Sequence, residues 1–138
     1  MVFYNLKVLD VSGSEDLIKT PDLTGAKNLE KLDFSGCRSL WSSIEAIKGL
    51  EELRMSGSRI KELWKGLVVF DNLKVLDMSD SKNLIKTPDL TRAPRLENLN
   101  LSGCRSLCEI HPSIGSLKRL KELWLNKCSG LKEVARPE

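Results

Sequence analysis

Four cysteines and a single histidine are the residues of this sequence best suited to metal binding or covalent catalysis. A structural zinc site usually requires two closely spaced pairs of Cys or His ligands. Cys104 and Cys108 form one such pair, but no second pair matches it. His111 stands beside Pro112, and no partners that would complete a catalytic or metal site are visible around it. The phosphate-binding, zinc-protease and nucleophile-elbow motifs are also absent. The sequence therefore predicts neither an enzyme nor a metal or cofactor site.

The cysteines instead follow a repeated apolar pattern. The segment 96–107 has leucine at its positions 1, 4, 6 and 12 and a cysteine at position 9. The pattern occurs six times, in repeats that start at Leu6, Leu29, Leu50, Leu73, Leu96 and Leu120. Position 4 is always leucine, position 6 is always apolar and position 9 is always Ser or Cys, and a closing apolar residue follows. The spacing of 21 to 24 residues is typical of leucine-rich repeats.

This pattern predicts an α/β repeat solenoid, a curved leucine-rich-repeat horseshoe segment that forms a single domain over residues 1–138. The strands are expected near residues 7–11, 30–34, 51–55, 74–78, 97–101 and 121–125. They should form a parallel sheet on the concave side, because a solenoid buries its apolar positions by stacking neighbouring turns. Prolines and glycines between the strands favour irregular or 3₁₀ convex segments. The best helical candidates are residues 43–48 and 113–119, and neither end of the chain has a recognisable cap.

The charge of the chain excludes some classes of partner. The 138 residues include 22 basic and 19 acidic side chains, for a net charge of +3. This excess is too small and too mixed to favour nucleic acid or a membrane surface. No apolar run approaches the roughly 18 residues of a membrane span, and residues 1–4 do not resemble a signal peptide.

Three of the cysteines occupy position 9: Cys37, Cys104 and Cys128. Serine fills this position in the other three repeats, so the position does not require a thiolate. We expect the small side chain to lie inside the turn and bond nearby backbone. Cys104 and Cys128 fall on adjacent turns about 5 Å apart, within disulfide range, although free thiols are expected in a cytosolic setting.

The residues between the leucines are the candidates for binding. Positions 3, 5 and 7 of each repeat should point away from the core, onto the concave face. The candidate protein-binding residues there are Asp33, Glu52, Arg54, Asp77, Asn98, Asn100, Glu122 and Trp124. Asp33, Arg54 and Asp77 could instead simply neutralise one another across neighbouring strands. Trp124 is either an interface anchor or the contact for a following repeat.

Several segments resemble one known family. They include Ser-Arg-Ile-Lys-Glu-Leu-Trp-Lys-Gly at 58–66, Lys-Thr-Pro-Asp-Leu at 86–90 and Leu-Ser-Gly-Cys-Arg-Ser-Leu at 101–107. This succession is similar to the leucine-rich-repeat region of plant intracellular immune receptors of the TIR–nucleotide-binding–LRR type. The resemblance implies a cytoplasmic, non-catalytic sensor. Its protein partner would be a pathogen effector, a host protein or the receptor's own nucleotide-binding domain. In that family Trp64 would pack on the convex side. The sequence itself contains no TIR domain and no P-loop.

An internal duplication leaves a second interpretation open. Residues 5–40 and 72–107 are identical at 26 of 36 positions, so the chain could be an engineered scaffold without a natural ligand.

The uncapped first and last turns also predict self-association, because they expose apolar residues and the unpaired backbone of edge strands.

Overall fold

A computed structural model of the chain describes residues 3–23, 25–41, 47–64 and 68–132. It contains six short strands, each three residues long: β1 (Val8–Asp10), β2 (Lys31–Asp33), β3 (Glu52–Arg54), β4 (Val75–Asp77), β5 (Asn98–Asn100) and β6 (Glu122–Trp124). The strands lie inside the predicted segments and pair in sequence order, each parallel to its neighbour. This sheet confirms the predicted repeat solenoid.

The register of the sheet follows the repeat without a slip. Leu9, Leu32, Leu53, Leu76 and Leu99 pair in succession and end on Leu123, so position 4 forms one column across the sheet. Because side chains alternate between the two faces of a strand, this column points into the core. In β2 to β5 it is buried.

The core extends beyond the positions of the repeat. A further buried column precedes β2 to β6 by several residues and was not part of the predicted pattern; it consists of Ala26, Ile47, Phe70, Ala93 and Leu117. Trp64 is also buried, with its ring centroid 4.9 Å from that of Phe70. This contact confirms that Trp64 packs on the convex side of the solenoid.

Each strand ends in the same turn. Position 8, the residue that makes the turn, has a positive φ in all six repeats: it is Gly13, Gly36, Gly57, Asp80, Gly103 and Lys127. Glycine adopts this left-handed conformation without steric cost, whereas Asp80 (φ 56°) and Lys127 (φ 61°) adopt it less readily. The backbone ladder continues through the turn, since the Gly36 N–H donates to the Ser56 carbonyl at 2.7 Å.

The connections between strands contain little helix in the described residues. A 3₁₀ helix spans Pro112–Ser116, with His111 as its N-cap. It begins one residue before the predicted helical segment 113–119 and is shorter. Most of the other candidate, residues 43–48, lies outside the described residues.

Candidate protein-binding face

All eight candidate residues lie on one face of the sheet. They occupy positions 3 and 5 of strands β2 to β6, on either side of the position-4 leucine that points into the core, and therefore point outward. We call this surface, formed by positions 3, 5 and 7 of the six repeats, the sheet face. Neighbouring strands are about 4.8 Å apart, so the candidates form a continuous surface.

The acidic and amide side chains at position 5 also hold the backbone. Asp33 Oδ1 accepts the Ser35 N–H at 2.8 Å, Asp77 Oδ1 accepts the Ser79 N–H at 2.9 Å and Asn100 Oδ1 accepts the Ser102 N–H at 3.0 Å. Such Asx turns are typical of Asp and Asn at the end of a strand. Sequence analysis missed this role, although the recurring Asp-x-Ser and Asn-x-Ser spacing signals it.

Arg54 and Trp124 are the two residues of this column that are neither acidic nor amide. The Arg54 Nη1 lies 3.8 Å from Asp77 Oδ2, and its Nη2 lies 3.9 Å from Glu52 Oε2. Asp33 is opposite Arg54 in the sheet register. The predicted neutralisation is thus present with Asp77, and Glu52 adds a second carboxylate. The Arg54 side chain remains 42% exposed. Exposed ion pairs of this kind contribute about 0–1 kcal/mol, so a carboxylate from a partner can replace either of them.

Trp124 is held by a small polar network. Glu122 Oε2 accepts hydrogen bonds from Asn98 Nδ2 at 2.5 Å and from Trp124 Nε1 at 3.4 Å. The indole N–H is therefore satisfied while Trp124 remains 49% exposed. An aromatic ring with a fixed polar edge and an open surface can contact a partner at little cost in conformational entropy.

Position 7 completes the sheet face with small polar groups. The Ser79 hydroxyl donates to the Ser56 hydroxyl at 3.1 Å, and the Ser102 hydroxyl donates to Asn126 Oδ1 at 2.7 Å. These bonds join neighbouring repeats into a shallow polar band beside the larger side chains of position 5.

The position-9 cysteines have the structural role that the sequence predicts. The Cys104 thiol donates to the Met78 carbonyl at 3.0 Å, and the Cys128 thiol donates to the Leu101 carbonyl at 3.0 Å. Ser81 makes the same contact with the Met55 carbonyl at 3.4 Å. All four cysteines are free, and Cys108 alone is exposed.

His111 belongs to a cap and not to a catalytic triad. Its Nδ1 lies 2.8 Å from the Ser113 hydroxyl and accepts the Ser113 N–H at 3.1 Å. Asp89 Oδ1 lies 4.0 Å from the same nitrogen. In a triad the serine and the carboxylate bind opposite ring nitrogens. Here all three groups converge on Nδ1, and the Ser113 hydroxyl also accepts the Leu90 N–H at 2.8 Å.

Two features are absent from the part of the chain that the structure describes: a metal-binding cluster and a membrane-spanning helix. No group of three or more His, Cys, Asp or Glu side chains is placed to hold a metal ion there. The same residues include no helix that is long and apolar enough to cross a membrane.

The burial of the Cys104 thiol can be tested through the pH dependence of the free energy of unfolding. Burial raises the pKa of the Cys104 thiol to about 12 from an ordinary value of 9.0. Above pH 9 the unfolded chain loses this proton while the folded chain keeps it, so the free energy of unfolding should fall as the pH rises towards 12. The slope expected from this one group is about 1.4 kcal/mol per pH unit.

The variant Cys104→Ser should lose this contribution while still folding, because Ser81 fills the equivalent position. Between pH 8 and pH 10 the free energy of unfolding, measured by urea denaturation, should fall by about 1.4 kcal/mol less in the variant than in the native chain. Equal losses in the two proteins would contradict the assignment of a buried, protonated thiol.

Comparison with known proteins agrees with this geometry. The family model described as Leucine Rich Repeat matches residues 28–50 and 95–117. These ranges correspond to the second and fifth repeats and contain β2 and β5. Two repeats of the chain are therefore leucine-rich repeats by sequence as well as by their place in the solenoid. No solved structure matches it significantly.

Two of the three relatives described below are plant proteins named for disease or virus resistance. The leucine-rich-repeat chain is 37% identical over 150 residues to Disease resistance protein RPP5 of Arabidopsis thaliana, covering 92% of this chain and 10% of that protein. It is 46% identical over 52 residues to TMV resistance protein N of Nicotiana glutinosa, covering 38% of this chain and 4% of that protein. A third relative, Protein SUPPRESSOR OF npr1-1, CONSTITUTIVE 1 of Arabidopsis thaliana, is 33% identical over 131 residues, covering 93% of this chain and 7% of that protein.

These relatives confirm the predicted resemblance to the leucine-rich-repeat region of plant disease resistance receptors. The chain spans a tenth or less of the length of each of these three curated relatives. Since natural proteins carry similar repeats over 92% of the chain, the alternative of an engineered scaffold is not supported.

Proposed function

We propose that the leucine-rich-repeat domain, residues 1–138, recognises a protein partner through its sheet face. The observation that carries the proposal is Trp124, which is half exposed on the sheet and fixed by Glu122. Tryptophan and arginine dominate the binding energy of many protein interfaces. Arg54 lies on the same face three strands away, roughly 14 Å from Trp124 by strand spacing.

The form of the sheet supports the same function. Six strands in one unbroken register present their outward side chains on a rigid support, which lowers the entropy lost on binding. The carboxylates of Glu52 and Glu122 and the amides of Asn98 and Asn100 surround the two anchors. They provide polar groups that can select a complementary surface.

The resemblance to plant immune receptors narrows the class of partner. It favours a pathogen effector, a host protein or the nucleotide-binding domain of the same receptor. The role is non-catalytic recognition. A cytoplasmic location fits the proposal, because the free thiols would remain reduced there.

The proposal is tested by locating the contact surface of a bound partner. A partner selected with the native chain from these three classes should bind Trp124→Ala at least about thirtyfold more weakly, a loss of about 2 kcal/mol. Arg54→Ala should also weaken binding. Biolayer interferometry with the purified proteins measures both effects.

Trp41 provides a matched control. It is 56% exposed, lies outside the strands and has the Lys19 ammonium 5.8 Å from the centroid of its ring. Trp41→Ala removes a similarly exposed indole from a different surface and should leave the affinity unchanged. Loss of binding in Trp41→Ala, with native affinity in Trp124→Ala, would contradict the proposal.

The isolated 138-residue chain should also associate with itself. Leu123 in the last strand is 39% exposed, and among the described residues β1 and β6 each pair with a neighbouring strand on one side only. Pairing of two edges would bury both features. Light scattering should show a mass that rises with concentration, and a monomeric mass at every concentration would contradict this expectation.

A further inference from the structure

A second surface follows the strands at the edge of the sheet where they end. Position 10, directly after the small position-9 residue, is basic in four consecutive repeats: Arg38, Arg59, Lys82 and Arg105. All four side chains are exposed, whereas the residue before each of them is buried. The first and last repeats carry Glu15 and Ser129 at this position, so the basic strip begins and ends within the chain.

The four cations lie in one column. The backbone ladder continues past the strands, with the Gly57 N–H donating to the Ser79 carbonyl at 2.9 Å and the Asp80 N–H donating to the Ser102 carbonyl at 2.7 Å. Successive repeats therefore keep the strand spacing of about 4.8 Å at this edge, and the column is roughly 15 Å long. Like charges on adjacent strands repel one another.

The chain does not neutralise this column itself. In the described residues, the ion pairs involve other basic side chains, and no carboxylate lies within 4.0 Å of these four cations. An anionic partner would remove the repulsion, which makes the column a candidate binding surface.

The four cations border a groove with a bare floor. Gly36 and Gly57 line the groove between the cations with backbone alone, because glycine has no side chain. Ser56, Ser58 and Asn83 line the same groove. We call this surface the basic groove. An extended polypeptide can lie along such a floor with its carboxylates directed to the flanking cations.

Nucleic acid is a poorer match to this groove. Proteins that bind single strands combine a basic groove with aromatic side chains on which bases stack. None of the residues that line the basic groove is aromatic, and the net charge of the chain is only +3.

We propose that the basic groove binds an extended acidic peptide segment of a protein partner. This surface meets the sheet face at Ser56 but is lined by neither Trp124 nor Arg54, so the inference does not depend on those two residues. It adds a second contact of different chemistry to the same domain.

Asp80 gives the proposal a distinctive consequence. It is the only residue of this groove that carries a negative charge, and it replaces the glycine that four other repeats have at position 8. Its carboxylate lies over Gly103, in the part of the groove between Lys82 and Arg105. There its negative charge repels an incoming carboxylate, so its removal should strengthen binding.

The test uses the full 138-residue chain and a fluorescently labelled oligoglutamate peptide, with fluorescence anisotropy at low ionic strength. The native chain should bind the peptide, and binding should weaken as salt is added. The quadruple variant with Arg38, Arg59, Lys82 and Arg105 replaced by glutamine should bind at least about tenfold more weakly. Asp80→Asn, which keeps a side chain that tolerates a positive φ, should bind more tightly than the native chain.

A matched variant separates the groove from net charge. Lys7, Lys27, Lys118 and Arg119 are exposed and precede the strands, at the opposite edge of the sheet. Their replacement by glutamine also removes four positive charges, and it should leave the affinity for oligoglutamate within about twofold of the native value. Circular dichroism of both quadruple variants confirms that they are folded.

Three results would overturn the proposal. The first is the absence of oligoglutamate binding to the native chain, and the second is equal weakening in the two quadruple variants. The third is equal or tighter binding of oligothymidylate through the same four residues, which would assign the groove to nucleic acid. Trp124→Ala should bind oligoglutamate with native affinity. A failure of the basic-groove proposal can therefore be distinguished from a failure of the sheet-face proposal.

Discussion

Replacement of Leu76 by alanine is expected to lower the free energy of unfolding by about 2–5 kcal/mol. Leu76 is fully buried at the centre of β4, and its neighbours in the register are Leu53 and Leu99, which are also fully buried. Neither neighbour can move to fill the space, because both are held in the same ladder. The loss therefore includes the apolar transfer energy and an uncollapsed cavity.

Val75 provides the control for this prediction. It precedes Leu76 in the same strand but points to the sheet face, where it is partly exposed. Val75→Ala should change stability by less than about 1 kcal/mol, and urea denaturation of both variants gives the comparison. A loss below about 0.5 kcal/mol for Leu76→Ala would contradict its position in the core.

Replacement of Phe70 by alanine should be at least as damaging, with an expected loss of about 3–5 kcal/mol. Phe70 is fully buried in the column that precedes the strands, where the next repeat supplies only Ala93. Its ring also contacts Trp64. Removal of the ring would leave a cavity beside the small Ala93 side chain, and the Trp64 indole would lose its packing partner.

Phe70→Leu tests the origin of this effect. Leucine fills much of the same volume, and Leu117 already occupies the equivalent position in a later repeat. The substitution should therefore cost less than Phe70→Ala, by about 1.5 kcal/mol or more. Urea denaturation followed by circular dichroism compares the two variants, and equal losses of unfolding free energy would show that the Phe70 ring does not support this side of the solenoid.

The sheet was predictable because its signal repeats. Six leucines at position 4, each flanked by a position-6 apolar residue, determine which face of every strand is buried. The strands β1 to β6 consequently fall inside the predicted segments. The outward direction of Arg54 and Trp124 follows from the same alternation.

Other features depend on contacts between repeats that the spacing of leucines does not describe. Asp33 and Asp77 were considered only as charges, whereas each also accepts a backbone hydrogen bond at the end of its strand. The pairing of Trp64 with Phe70 joins two convex positions of the same repeat.

The basic groove was missed for a related reason. Each of its cations appears in the sequence as an isolated surface charge, separated from the next by a whole repeat. Arg38, Arg59, Lys82 and Arg105 share position 10 of the repeat, and the structure adds that they border one groove.

The unbroken register also affects how such a domain can evolve. Residues 5–40 and 72–107 retain 26 identities in 36 positions, and they lie three whole repeats apart in the sheet. Unequal crossing-over between the two corresponding gene segments would add or delete three complete repeats. The new junction would still join position 4 to position 4, so the core would remain continuous while the order of residues on the sheet face and in the basic groove changed. A single recombination event could therefore produce a new combination of contact residues on an intact scaffold, without passing through a misfolded intermediate.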